Sequence, residues 1–145
     1  MMLTTAIFIS KGLVVMDAKQ RLNKMNEILV TKLDEFDKDI DVYADALSED
    51  EQNASGMKYL IYSTGDFSNP EGSDLNYTMM QTVFVTFVSV ERPFIDGDVL
   101  DLIKLIKSAN YSVIAVEKDH SQIDKQDLYA DIVVFECKRV IKIGC

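Results

Sequence analysis

The sequence predicts an α+β fold, a two-layer sandwich in which two main helices pack on one face of a mostly antiparallel sheet of about four to five strands. Two segments carry apolar residues at spacings of three and four, which is typical of amphipathic helices. Other segments are rich in β-branched and aromatic residues, which favours strands. Along the chain the order is helix, strands, helix, strands, and this order predicts the sandwich.

The first predicted helix spans Asp17 to Phe36. Its apolar stripe consists of Leu22, Met25, Leu29 and Leu33. Asp17 is the expected N-cap or first-turn acid, because a carboxylate there accepts backbone N–H groups that have no partner inside the helix. The preceding residues 1–15 are apolar but too short to span a bilayer, and Lys11 interrupts them. We therefore expect residues 1–15 to form an apolar extension and residues 16–145 to form a single α+β domain.

Three strands are predicted before the second helix. A short strand covers Ile40 to Tyr43, and a second covers Met57 to Ser63. A polar loop of about a dozen residues, Thr64 to Asn76, then exceeds the usual hairpin length of ~2–5 residues. The third strand, Tyr77 to Glu91, is apolar on both faces around Val83 to Val88, which predicts a central strand covered on both sides.

The second half of the chain is predicted to repeat the pattern of a helix followed by strands. A helix runs from Phe94 to Asn110, with Asp96 as the expected cap. A strand follows from Ser112 to Glu117, then a polar connection from Lys118 to Asp127, then a long strand from Leu128 to Ile143. The buried stripe of this helix is predicted to contain Val99, Leu102, Ile103 and Ile106.

The net charge of −9 argues against several classes of partner. A protein that grips nucleic-acid phosphates needs a basic face, and so does one that docks on an anionic membrane. An acidic surface suits a protein that stays soluble, or one that repels DNA.

No pattern in the sequence predicts a catalytic residue, a cofactor or a metal site. The single histidine, His120, lies between Asp119 and Ser121 in the predicted polar connection and is interpreted as a solvated loop residue. Adjacent positions cannot supply the converging groups of a triad. Cys137 lies in an apolar run and is interpreted as a core residue, and the glycines match no phosphate-binding motif.

The candidate functional residues are therefore interface residues. The long loop combines acids with an apolar side chain, which suits docking to a partner that orders the loop. Tyrosines at strand starts are weaker candidates for subunit contacts, because tyrosine is enriched at interfaces. The loop candidates are Asp66, Phe67, Glu71 and Asp74, and the strand-start candidates are Tyr111 and Tyr129.

The arrangement after Met16 resembles the tail terminator, or tail-completion, proteins of long-tailed bacteriophages, including the lambda-type terminator and its relatives in phages of Gram-positive bacteria. The resemblance is a pattern of elements rather than a signature motif, and residues 1–15 do not belong to it. The segments that carry it are Leu22–Leu29, Val42–Tyr43, Lys58–Tyr62, Thr82–Phe87, Val99–Lys107, Ser108–Tyr111, Asp127–Tyr129 and Val133–Arg139.

The resemblance implies a structural virion protein of the tail and neck, with no catalysis and no cofactor. Such proteins form a hexameric ring at the head-proximal end of the completed tail tube. The ring ends polymerisation of the tube protein and joins the tail to the head connector, or stopper. Six copies would carry a charge of about −54, which suits a ring that DNA slides through without specific binding.

Two alternatives remain open at this level. The chain could be another connector-region subunit, such as a head-completion or stopper protein. It could also be a small-molecule-binding α+β module, for which we would expect an apolar-lined cavity that holds His120 near an acid.

Overall fold

A computed structural model describes residues 17–45, 58–69, 78–90, 95–122 and 129–142. The predicted extension 1–15, the loop 46–56 and residues 70–76 of the long loop lie outside the described residues. The described elements, in chain order, are the helix α1 (Ala18–Asp34), the strands β1 (Asp41–Ala44), β2 (Tyr59–Ser68) and β3 (Thr78–Val90), the helix α2 (Ile95–Ser108), and the strands β4 (Ser112–Gln122) and β5 (Tyr129–Lys142).

The described strands form one five-stranded sheet in the order β1-β2-β3-β5-β4. Only β1 pairs in parallel, with β2, and every other neighbouring pair is antiparallel. The long pair of β3 and β5 runs in register from Thr78 opposite Lys142 to Val90 opposite Ala130. The predicted α+β sandwich is therefore confirmed, with two described helices and a mostly antiparallel sheet.

Helix α1 begins where the sequence predicts. Asp17 is its N-cap, and the Asp17 Oδ1 atom accepts a 2.8 Å hydrogen bond from the Gln20 backbone N–H. The Gln20 side-chain oxygen in turn accepts from the Asp17 backbone N–H at 3.0 Å, which completes a capping box. The prediction that Asp96 caps α2 is wrong, because Asp96 lies inside the first turn of the helix.

The core lies between the helices and one face of the sheet, called here the helix face. The odd-numbered residues of β3 and β5 point toward it, because side chains alternate along a strand. Cys137 is fully buried there, as the sequence predicts. The main core side chains are Leu29, Leu33, Leu60, Val83, Val85, Phe87, Leu102, Ile106, Val133 and Phe135.

The opposite face of the sheet, called here the open face, carries the even-numbered residues of β3 and β5. The side chains of Phe84, Val88 and Val134 are only half-buried there. Both described helices pack on the helix face. The expectation that β3 is central is confirmed. The expectation that both its sides are covered stays a prediction, because its open-face side chains are half-buried although both described helices pack on the helix face.

Two predicted connections are partly strand. β2 continues to Ser68, five residues beyond the predicted end at Ser63, so Asp66 and Phe67 lie on a strand rather than on a loop. β4 continues to Gln122, so His120 also lies on a strand. In both cases pairing with a longer neighbouring strand satisfies the backbone of residues whose polar side chains suggested a loop.

A buried arginine joins the two layers. Arg139, on β5, is 1% exposed. Its Nε and Nη2 atoms donate to the Gln81 side-chain oxygen on β3 at 3.0 and 2.7 Å. Its Nη1 atom donates to Asn26 Oδ1 on α1 at 2.6 Å and to the Tyr111 hydroxyl at 2.8 Å. One side chain therefore links α1, β3, β5 and the segment that follows α2.

None of the described partners of this guanidinium is an acid. Burying a charged guanidinium is costly unless its N–H groups find acceptors. Here neutral oxygen atoms accept the hydrogen bonds that water would otherwise accept. Gln81 is itself 4% exposed, and its amide donates to the Gly65 carbonyl at 3.4 Å. The Tyr111 hydroxyl donates onward to the Met25 carbonyl at 3.2 Å. The network therefore fixes the side chains of Gln81, Asn26 and Tyr111 around the buried guanidinium.

We predict that Arg139→Met destabilises the fold by about 2–4 kcal/mol, because the buried oxygens of Gln81 and Asn26 lose a charged donor. Urea unfolding followed by circular dichroism measures the change. The control is Lys142→Met at the exposed end of the same strand, for which we expect a change within about 0.5 kcal/mol. Equal effects of the two variants would show that the Arg139 network contributes nothing to stability.

Candidate functional site

The predicted docking residues Asp66 and Phe67 lie near the end of β2 and are exposed. The Phe67 side chain is 52% exposed. The register between β2 and β3 shifts between Thr64 and Phe67, so this stretch is a bulge. Glu71 and Asp74 lie outside the described residues. The assignment of Asp66 and Phe67 to a partner interface therefore remains a prediction. It now concerns the end of a strand instead of a loop.

Tyr111 is a core residue, so its assignment as a subunit contact is corrected. Helix α2 ends in a Schellman motif, in which Asn110 adopts φ 69° and the Tyr111 N–H donates to the Ile106 carbonyl at 3.4 Å. This turn directs the Tyr111 ring inward, where it is 4% exposed and reaches Arg139. Burial raises the pKa of Tyr111 above its usual 10.0, and the adjacent Arg139 opposes part of that rise.

Tyr129 lies at the start of β5 and stacks on His120 of β4. The two rings are nearly parallel, with centroids 5.0 Å apart and planes 6° apart. His120 Nδ1 lies 2.8 Å from Asp131 Oδ1, on the neighbouring strand. The acid and the tyrosine therefore fix the orientation of the imidazole, and its Nε2 atom is the one left for other interactions. Tyr129, which is 44% exposed, remains a candidate contact residue.

This His120 pair borders a cleft of about 200 Å³ between β4, β5 and the start of α2. At this cleft the Lys118 Nζ atom forms a salt bridge with Asp96 Oδ1, at 2.5 Å. The remaining lining residues are Ile95, Asp119 and Val133. The cleft is small, and its charges are largely paired with each other.

Ser89 stands beside this site. It is opposite Asp131 in the register of β3 and β5, so Ser89, Asp131 and His120 occupy one row across three strands. Ser89 is fully buried, and its hydroxyl has no hydrogen-bond partner within the described part of the chain. In this row the acid stands between serine and histidine, whereas nucleophilic catalysis needs the histidine next to the hydroxyl. The row therefore does not build an acyl-transfer centre.

The other groups considered for chemistry, the Cys137 thiol and possible metal ligands, do not form a reactive site among the described residues. Burial raises the pKa of the Cys137 thiol to about 12, so it is protonated at neutral pH and is a poor nucleophile. Across the described ranges, no three His, Cys, Asp or Glu side chains come together in a group able to hold a metal ion. Of the helices that the structure describes, none has the length and apolar character that crossing a membrane requires.

The most extensive candidate surface is the open face of the sheet. Its residues lie in rows set by the strand register, such as Tyr59 opposite Val88, and Val88 opposite Ile132. Its apolar members on β2, β3 and β5 are Tyr59, Ile61, Met80, Phe84, Val88, Ile132, Val134 and Val140. Val140 is 54% exposed. Extended apolar patches of this kind mark interaction surfaces on soluble domains.

Sequence reasoning missed this face because an apolar run in a strand does not say whether both sides are covered. The signal that could have found it is the presence of only two predicted helices, which are enough to cover one face of a five-stranded sheet. Reasoning from single residues also could not name Asp131 as the acid beside His120, since residues eleven positions apart meet only through the strand register.

No protein-family model matches the sequence, and no curated protein matches it either. Among solved structures, the chain is similar to the core domain of a protein from Akkermansia muciniphila, with a TM-score of 0.42 and 8% identity over 94% of each chain. A second crystal structure from the same organism gives a TM-score of 0.44 and 10% identity over 94% of this chain and 84% of that one. At these TM-scores the similarity carries no argument about function.

We predict that Tyr111→Phe destabilises the fold by about 1–2 kcal/mol, because Arg139 loses an acceptor and the Met25 carbonyl loses a donor. Its effect on self-association should be negligible. Tyr129→Phe is the matched control, with an expected change within about 0.5 kcal/mol. Thermal unfolding and light scattering measure the two quantities. A Tyr111→Phe variant that associates less but unfolds like the wild type would restore Tyr111 as a contact residue.

Proposed function

We propose that this chain is a structural virion protein of a long-tailed bacteriophage. In this proposal it forms a ring at the head-proximal end of the tail tube, stops tube polymerisation by occupying the growing end, and joins the tail to the head connector. It acts through protein contacts alone, without catalysis or a cofactor. The element order that resembles tail terminators motivates the proposal.

The observation that carries the proposal is the open face of the sheet. Phe84, Val88 and Val134 are half-buried there, and both described helices lie on the other side. Such a face gains stability when a partner covers it, because burial of apolar surface contributes roughly 25 cal/mol per Å². A protein whose role is assembly provides that partner.

Charge distribution supports the same proposal. The chain carries −9 in 145 residues, and a ring of such subunits would repel the DNA that passes through it. Two described acids lie at exposed positions at one side of the sheet, Asp41 on the edge strand β1 and Asp66 on the neighbouring strand β2. An acidic lumen keeps a DNA path free of phosphate-binding contacts.

The end of β2 is the proposed contact with the tube or the connector. Phe67 is exposed beside Asp66, which is also exposed, at a bulge that interrupts pairing with β3. An exposed apolar side chain next to an acid, on an irregular strand end, can contact a partner without disturbing the hydrophobic core of either protein.

Mass measurement by light scattering, over a concentration series with and without purified tail tubes, tests the proposed function. A hexamer, or a chain that forms a ring only at tube ends, is the expected result. A chain that stays monomeric and ignores tubes would contradict it. Association with heads that lack tails would instead favour a head-completion or stopper subunit.

We predict that Phe67→Ser leaves the fold intact and weakens binding to tube ends by at least about tenfold, since truncation of an aromatic hot-spot residue costs about 2 kcal/mol or more and tenfold is about 1.4 kcal/mol. Leu100→Ser is the matched control, because Leu100 is 67% exposed on the outer side of α2. Tube binding is measured by co-sedimentation and folding by circular dichroism. Unfolding of the Phe67→Ser variant would show that Phe67 supports the core instead.

A second candidate function rests on the His120 cleft. An oriented imidazole beside Asp131, with Lys118 nearby, could bind a small polar molecule. Nuclear magnetic resonance titration with small amines and carboxylates tests this. Saturable shifts at His120 that disappear in Asp131→Asn would favour a binding module. The absence of such shifts up to millimolar ligand would rule out small-molecule binding at the His120 cleft.

A further inference from the structure

The open face of the sheet has the composition of one half of a β-sandwich. Strands that face another sheet carry apolar side chains on that side, and the two sheets interdigitate about 10 Å apart. On β3 and β5 the rows Val88 opposite Ile132 and Thr86 opposite Val134 form the apolar part of this face. On β2, Tyr59 and Ile61 extend these rows toward the edge.

The size of the face is sufficient for a specific but weak interface. The strands β2, β3 and β5, about 4.8 Å apart and about eleven residues long at ~3.3 Å per residue, cover about 520 Å². Two such faces together bury about 1,000 Å², which is about the minimum expected of a specific protein–protein contact.

The charges of the face favour a second copy of this chain as that partner. Although the whole chain carries −9, the central strands β3 and β5 carry only Glu136 and Lys138 on this face between Ala130 and Val140. The acids Glu117 and Asp119 lie to the side, on the edge strand β4 opposite Val134 and Ile132. The opposite charges of Glu136 and Lys138 are two positions apart on β5, so the centre of the face is neutral. Two acidic copies can therefore approach here without the repulsion that their other surfaces would produce.

The same two residues define how the copies would meet. If a two-fold axis crosses β5 at the level of Cys137, each Glu136 lies opposite the Lys138 of the other copy. The same rotation places Val134 opposite Val140, whose side chain is 54% exposed in one copy. It also places Thr86 opposite Met80. In an isologous contact of this kind each pair of residues meets twice, once from each copy.

We propose that two copies of this chain pack their open faces together about this two-fold axis, as a β-sandwich between subunits. The inference rests on the proposed function only in taking the open face to be an assembly surface. Because a two-fold contact differs from the head-to-tail contact that closes a ring, the two produce different masses and can be separated.

Sedimentation equilibrium of the full chain, without tail tubes, tests the pairing. The wild type is expected to associate reversibly as a dimer. Thr86→Lys places a charge at the centre of the face and should raise the dissociation constant at least tenfold. Thr31→Lys is the matched control, because it makes the same change at an exposed position on α1, and it should leave the dissociation constant unchanged.

Charge exchange on β5 tests the axis and remains informative if Thr86→Lys fails to fold. Glu136→Lys and Lys138→Glu should each weaken the dimer several-fold, since like charges then face each other twice. The double variant Glu136→Lys/Lys138→Glu should restore the dissociation constant to within about threefold of the wild type, a coupling of the size that double-mutant cycles detect.

Three results would overturn the pairing. One is a wild type that stays monomeric at every concentration, and another is equal dissociation constants for Thr86→Lys and Thr31→Lys. The third is failure of the double variant to recover. A dimer that fails to cap tail tubes would contradict the proposed function and leave the pairing standing.

Discussion

The buried guanidinium of Arg139 constrains the arrangement of the two layers more than any other described group. At 1% exposure it has lost its water, so Gln81, Asn26 and Tyr111 must supply its acceptors. Those acceptors come from β3, α1 and the turn after α2, and each must therefore hold its place against the sheet. Apolar packing alone tolerates small sliding of helices, whereas directional bonds to one charge do not.

Because both helices are held on the helix face, the chain leaves the other side of its central strands without a described covering element. The alternation of side chains makes this a consequence of geometry, since a residue that does not point at the helices points away from them. The fold therefore leaves half-buried residues such as Phe84 and Val134 available for the contacts that the proposed function requires. A surface formed by the paired strands is rigid, which reduces the entropy lost when a partner binds.

The described ionisable groups that could carry chemistry are already paired or buried within the fold. His120 is oriented by Asp131 and Tyr129, Lys118 is paired with Asp96, and Cys137 is buried as a protonated thiol. These groups have partners before any ligand arrives, so a ligand would have to compete with existing contacts. That comparison favours assembly over small-molecule binding as the proposed role.

The sequence by itself determined the class of fold, the position of both described helices, the Asp17 cap, the core position of Cys137 and the central place of β3, because local periodicity and capping chemistry depend on neighbouring residues. Tertiary structure alone decided the rest. The strands β2 and β4 extend past their predicted ends because longer neighbours pair with them, and Tyr111 and Arg139 meet across 28 positions. Whether a strand's second face is covered depends on how many elements pack against the sheet, and no local pattern contains that information.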